Sequence, residues 1–307
     1  MVPKLSNFNF TLIFLCLVQP VAAAAETASN FRLSPTVERL AEVTGMTSYA
    51  HEILKSGRAQ IVGKRTIRES CHKMNDLIIL GCNANSQIFV FGISEPELDG
   101  IMENTLAHEM LHSGYARISL SERAQIDALT ESMRKTIKDK DIIERLKQYG
   151  SAGEDVANEL HSILGTEVAN LPKSLESHYA KYFKDRSKVV AFSKKYEARM
   201  ESRHQQVRSY DILLDQLKRE IDERDRKLAV KKDLLDEAKR RLKDFEPGHN
   251  VDEYNKAAAK FNKAAHEYNA GAKIANELSL KYKHLEKIRN DSAQESNRLA
   301  SAINGRS

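Results

Sequence analysis

From Val207 to Phe245 the apolar residues fall at alternating steps of three and four: Val207, Tyr210, Leu214, Leu217, Ile221, Leu228, Leu235, Ala238, Leu242 and Phe245. Polar slips occur at Arg224 and Lys231. A seam of that period, kept up on a highly charged background, dictates a coiled coil. Pro247-Gly248-His249-Asn250 stops it. A second run follows, built on a seven-residue repeat: Glu253-Tyr254-Asn255-Lys256-Ala257, Lys260-Phe261-Asn262-Lys263-Ala264, Glu267-Tyr268-Asn269-Ala270-Gly271. Its seam continues through Ala275, Leu278, Tyr282 and Leu285. Two runs of similar length around a short break predict an antiparallel helical hairpin over residues 185–307. With about sixty residues in each helix the arm reaches about 90 Å. Residues 187–303 then offer a surface for a protein partner or for self-association, or serve as a spacer.

The first 25 residues read as a secretory signal. Lys4 is the basic flank, Thr11 to Val18 a short apolar run and Val21 to Ala25 a small-residue cleavage region. The apolar run is well short of the ~20 residues that span a bilayer. Residues 1–25 are therefore set outside the fold, and the remainder is expected to be exported, periplasmic or secreted, with no transmembrane segment. Export leaves two cysteines, Cys71 and Cys82, in a compartment where a disulfide between them would persist, two unpaired buried thiols being the lesser alternative. The net charge of +5 is spread over both signs, with no basic run interleaved with aromatics. Nucleic acid is therefore not an expected partner.

Residues 26–184 hold the remaining elements. Ser34 and Pro35 open a helix that Gly45 ends, and Thr47 to Ser56 form another. Strands are predicted at 59–67, 76–80 and 87–93, the last two joined by a turn at Asn83-Ala84-Asn85-Ser86. The chain is helical from there on. Its chemistry lies in Thr105-Leu106-Ala107-His108-Glu109-Met110-Leu111-His112, a His-Glu-x-x-His pattern. On a helix, residues at i and i+4 share a face, so His108 and His112 can aim two imidazoles at one Zn²⁺. Glu109 lies about 100° around the axis, where a general base for a metal-activated water belongs. Asp99 or Glu103 can serve the helix start.

A third ligand must come from further along. The best supply is 154–165, read as a helix with a capping box at Ser151 and Glu154 and a stop at Gly165. Glu159 and His161 point about 200° apart on it, so one of them, and not both, completes the site. Asn158-Glu159-x-x-Ser162 resembles the Asn-Glu-x-x-Ser-Asp signature of the thermolysin-type gluzincins, zinc peptidases with a downstream glutamate ligand. That resemblance covers about a third of the chain. It implies Glu159 as the ligand and a small zincin-like α+β domain with a short antiparallel or mixed sheet. Ile163 stands where the signature has Asp, so the carboxylate that orients a ligating imidazole must come from elsewhere or be missing.

The resemblance further implies one bound Zn²⁺ held by His108, His112 and Glu159, with Glu109 catalytic. It implies a peptide or protein substrate paired along an edge strand at 87–93. Tyr115, His178 and Tyr179 are candidates for stabilising an oxyanion. The expected function is an exported zinc metallopeptidase carrying a coiled-coil arm. The alternative is an envelope scaffold or adaptor that acts through its coiled coil and whose metal site is structural or vestigial.

Overall fold

The computed structural model describes residues 31–71, 78–244 and 250–303, together with the backbone of residues 12–16. The chain divides into two compact units, Met1–Met200 with Asn297–Ser307, and Glu201–Ser296. The change of composition near residue 185 marks the start of a long helix, α9 (Ser187–Lys243), and not the end of the first unit. The reason lies in the first turns of α9, where Val189, Val190 and Tyr196 are buried.

In the first unit, α1 (Pro35–Val43) is capped by Ser34, whose hydroxyl accepts from Val37 N, and buries Val37, Leu40 and Ala41. Thr47 caps α2 (Ser48–Ser56) in the same way. The strand expected at 59–67 is cut to three residues, β2 (Gln60–Val62), and the chain turns into helix α3 (Lys64–Ser70). Only Ile67 of α3 is buried, and Arg65 pairs with Glu69 one turn on, a surface-helix pattern.

Strands β3 (Ile78–Ala84) and β4 (Gln87–Phe91) form an antiparallel hairpin. Its turn is Asn85-Ser86, both with positive φ (52° and 62°), as a two-residue hairpin loop requires. The four-residue turn expected there is therefore too long, and β3 runs straight through Gly81. Sheet order is β1-β3-β4-β2, where β1 is Leu12–Cys16. This corrects the edge strand expected at 87–93: β4 is paired to β3 on one side and to β2 on the other, so its backbone is already satisfied. On the far side of β3 lies β1, parallel to it and drawn from the segment read as a signal. A disulfide joins Cys71, at the end of α3, to Cys82 in β3, with Cα atoms 5.9 Å apart.

Helix α4 (Ile101–Tyr115) packs on β3 and β4 and also touches α1, α2 and α7 (Val156–Thr166). Its contact is not confined to one stripe, for every α4 residue except Met102 is buried. Glu103 serves the helix start by accepting from Gly100 N at 3.2 Å, while Asp99 pairs with Lys195. Helices α5 (Leu120–Arg134) and α6 (Lys140–Ser151) start at Ser119 and Asp139 as their sequences indicate. For α7 the cap is Asp155, which accepts from Ala157 N and Asn158 N; Ser151 belongs to α6 instead. A short helix, α8 (Lys173–Tyr179), follows. Arg145 of α6 forms a buried double hydrogen bond with Glu167 at the end of α7.

The second unit is the helical hairpin. Asp211 pairs with Arg289 at 2.8 Å, and Lys231 donates to Glu267 O at 3.3 Å. Partner numbers fall on one helix as they rise on the other, which makes α9 and α10 (Val251–Ile303) antiparallel. Val207, Leu214, Leu217 and Ala275 are buried along the seam, and Lys231 sits on it as well. Asn250 caps α10 through Glu253 N. Phe245 and the break residues Pro247, Gly248 and His249 lie outside the described residues.

Gly165 is an interior residue of α7 and not its stop. A Cβ there would stand 2.4 Å from Leu111 Cδ1 and 2.8 Å from Tyr179 Cε1. Gly165→Ala should therefore lower stability by about 1–3 kcal/mol, although alanine favours a helix by ~1 kcal/mol over glycine. Chemical denaturation read by circular dichroism measures the sign, and a stabilised variant would contradict the close approach.

Candidate metal centre

Helix α4 places His108 and His112 one turn apart, with ring centroids 4.6 Å apart and planes at 77°. Helix α7 crosses it and delivers Glu159 between them. His108 Nε2 lies 3.6 Å from one carboxylate oxygen, and His112 Nε2 lies 3.6 Å from the other. Donors about 2.1 Å from a common ion at tetrahedral angles stand roughly 3.4 Å apart, so three side chains at these separations fit one cation. Among the described residues this is the one group of three or more His, Cys, Asp or Glu side chains able to do so. All three, and Glu109, are 0–1% exposed.

His161 does not take part. Its Nε2 faces His178 Nε2 at 2.9 Å, within a cluster of Tyr115, Tyr179 and Tyr182 rings. The oxyanion candidates sit in that cluster too, where Tyr115 donates to Asp127 at 2.6 Å and Tyr179 to His161 O at 2.7 Å. The residue that sequence reasoning missed is Tyr149 of α6. Its buried phenol works, with Arg145, against the burial that raises the Glu159 carboxyl. Nothing in the local sequence marks it, because the approach is made between helices.

The group standing in for the missing Asp is local to α7. His112 Nδ1 meets Asn158 Oδ1 at 3.0 Å and Ser162 Oγ at 3.1 Å. With Asn158 accepting, Nδ1 carries the proton and Nε2 keeps its lone pair for a metal. Ile163 is 0% exposed and belongs to the apolar core.

Burial dominates the electrostatics. It holds His108 well below the usual imidazole range, helped by the neighbouring His112, and brings His112 down to about 4. Both rings are therefore neutral, as ligands must be. Burial also pushes Glu109 and Glu159 well above the usual carboxyl range; Glu159 is raised further by Glu109 and eased back by Arg145 and Tyr149. Neither Glu109 oxygen has a hydrogen-bond partner among the described residues. Strand β3 crosses just beside it: a Cβ on Gly81 would meet Glu109 Cγ at 3.0 Å and Thr105 Cγ2 at 2.7 Å. Two neutral imidazoles, a carboxylate and an adjacent unpartnered acid form a donor set suited to a borderline dication such as Zn²⁺.

Asn158→Ala should weaken binding of a divalent metal ion at this centre about 10- to 100-fold, measured by competition with a chromophoric chelator. In chelator-treated protein, Glu109→Gln should raise the thermal midpoint at pH 8. A carboxyl whose folded pKa is raised costs stability above its unfolded value, so the gain should vanish as pH falls to the usual 4.5. A gain that persists at low pH would show that charge burial is not its origin.

No protein-family model, no curated protein and no solved structure matches this chain.

Proposed function

We propose that this chain is an exported zinc metallopeptidase of the gluzincin type. One observation carries the proposal: His108, His112 and Glu159 converge from two helices, with Glu109 one residue along from the first ligand. His108 and His112 would hold Zn²⁺ through their Nε2 atoms and Glu159 through its carboxylate. Bound zinc supplies Lewis acidity, polarising a carbonyl and making water acidic near neutral pH. Everything else falls to the side chains. Glu109, raised by burial, is suited to accept a proton from the attacking water and hand it to the departing amine. Asn158 and Ser162 keep the His112 ring turned, and Tyr149 acts against the burial that raises the Glu159 carboxyl. The hairpin would hold a partner or set the distance to the target.

A specific observation favours a second reading, an envelope scaffold with a structural metal. Structural zinc sites are closed whereas catalytic ones keep an open position, and all four residues here are sealed.

Metal analysis and peptide cleavage separate the two. Wild type and Glu109→Gln should each carry one zinc, and only wild type should cleave a peptide library. His108→Ala and Glu159→Ala should lose the metal, while His161→Ala should keep it. Cleavage by Glu109→Gln at the wild-type rate would defeat the mechanism. A metal-free chain that stays folded, beside a zinc-loaded chain that cuts nothing, would favour the scaffold.

A further inference from the structure

Helix α4 carries one buried hydroxyl with no structural task. Among the described residues Thr44, Thr105, Thr130 and Thr166 are the buried threonines. Three of them donate to a backbone carbonyl about one turn back: Thr44 to Leu40 O at 2.7 Å, Thr130 to Asp127 O at 3.2 Å and Thr166 to Ser162 O at 2.8 Å. That is the usual outlet for a threonine in a helix. Thr105 behaves differently. It is 1% exposed, and its Oγ1 meets no hydrogen-bond partner among the described residues, although Ile101 lies one turn before it in the same helix. A buried hydroxyl left idle costs free energy, so its orientation calls for a local cause.

The neighbour that supplies the cause is Glu109. Residues four apart share a helix face, and helical side chains lean toward the N-terminus, so the Glu109 chain lies back over Thr105. Strand β3 bears this out at Gly81: a Cβ there would stand 2.7 Å from Thr105 Cγ2 and 3.0 Å from Glu109 Cγ, so both side chains fill the space beneath that glycine. Glu109 is 0% exposed, and both of its oxygens lack a partner too. An idle hydroxyl and an idle carboxyl thus sit side by side next to the three donors.

We propose that Thr105 is a positioning residue for Glu109: its hydroxyl holds one carboxyl oxygen and leaves the other to face the attacking water. The proposal rests on the metallopeptidase reading and adds to it the group that orients the base. Rotation about the single Cα–Cβ bond brings Oγ1 to the carboxyl, and threonine populates two such rotamers in helices. A hydroxyl suits the task because it can donate to a carboxylate and accept from a carboxylic acid, so the contact survives when Glu109 takes up a proton. Valine would fill the same space and do neither.

The test has two arms, both on the full chain. The first is a double-mutant cycle on chelator-treated protein, read by chemical denaturation, with Thr105→Val introduced beside Glu109 and beside Glu109→Met. Loss of the hydroxyl should lower the folding equilibrium constant about fivefold more in the first background than in the second. Equal effects in both backgrounds overturn the contact. The second arm measures peptide cleavage by zinc-loaded protein. Thr105→Val should lower kcat about tenfold with KM and zinc content unchanged, Thr105→Ser should restore most of it, and Thr105→Val added to Glu109→Gln should cost nothing further. A serine variant as slow as the valine one overturns the proposal, and so does a raised KM with kcat intact. Thr105→Ala takes the place of valine in both arms if the valine variant does not fold. If wild type cleaves nothing, the metallopeptidase reading fails by itself, and the cycle alone decides whether Thr105 holds Glu109. If wild type cleaves and the cycle shows no coupling, the peptidase stands and Thr105 has no part in it.

Discussion

The candidate centre depends on how closely α7 lies across α4. Gly165 meets Leu111 where any larger side chain would intrude, and that proximity lets a glutamate on one helix reach two imidazoles on the other. Without the crossing, His108 and His112 are two buried rings on a helix. With it, three donors share one point, and Asn158 and Ser162 on the same arriving helix fix the proton on His112. Helix α7 thus delivers both a ligand and the group that orients another.

That arrangement sets unfavourable terms against one another inside the core. Two imidazoles are held neutral and two carboxyls are pushed toward protonation, all by the same exclusion of water. A dication at the shared point reverses the sign of the problem, because it favours charged carboxylates and neutral rings together. Arg145, locked to Glu167 and near enough to ease Glu159 toward its charged form, supplies part of that field permanently.

Much of this was legible in the residues because the decisive signals are local. The coiled-coil seam, the Ser34, Thr47, Ser119 and Asp139 caps and the paired histidines are all written within seven positions or fewer. The errors arose where partners are distant. Gln87–Phe91 reads the same as an edge or an inner strand, and only its pairing to both β2 and β3 decides which. Residues 59–67 carry strand-like composition, yet β4 offers room to pair just three of them. Tyr149 matters through an interhelical contact, and Gly165 reads as a helix stop until Leu111 is seen against it.

The roots of the long helices bear on how this chain can be dissected. Val189 and Tyr196 at the start of α9, and Leu299 and Ile303 at the end of α10, are packed into the same apolar cluster as Leu106, Met110 and Leu111 of α4. Each such side chain is worth about 1.5–3 kcal/mol when buried. Four of them together rival the ~5–15 kcal/mol by which an ordinary domain holds together. A shortened version ending at residue 185 would therefore forfeit part of its own interior, and only a cut further out along both helices, rejoined by a short linker, would spare it.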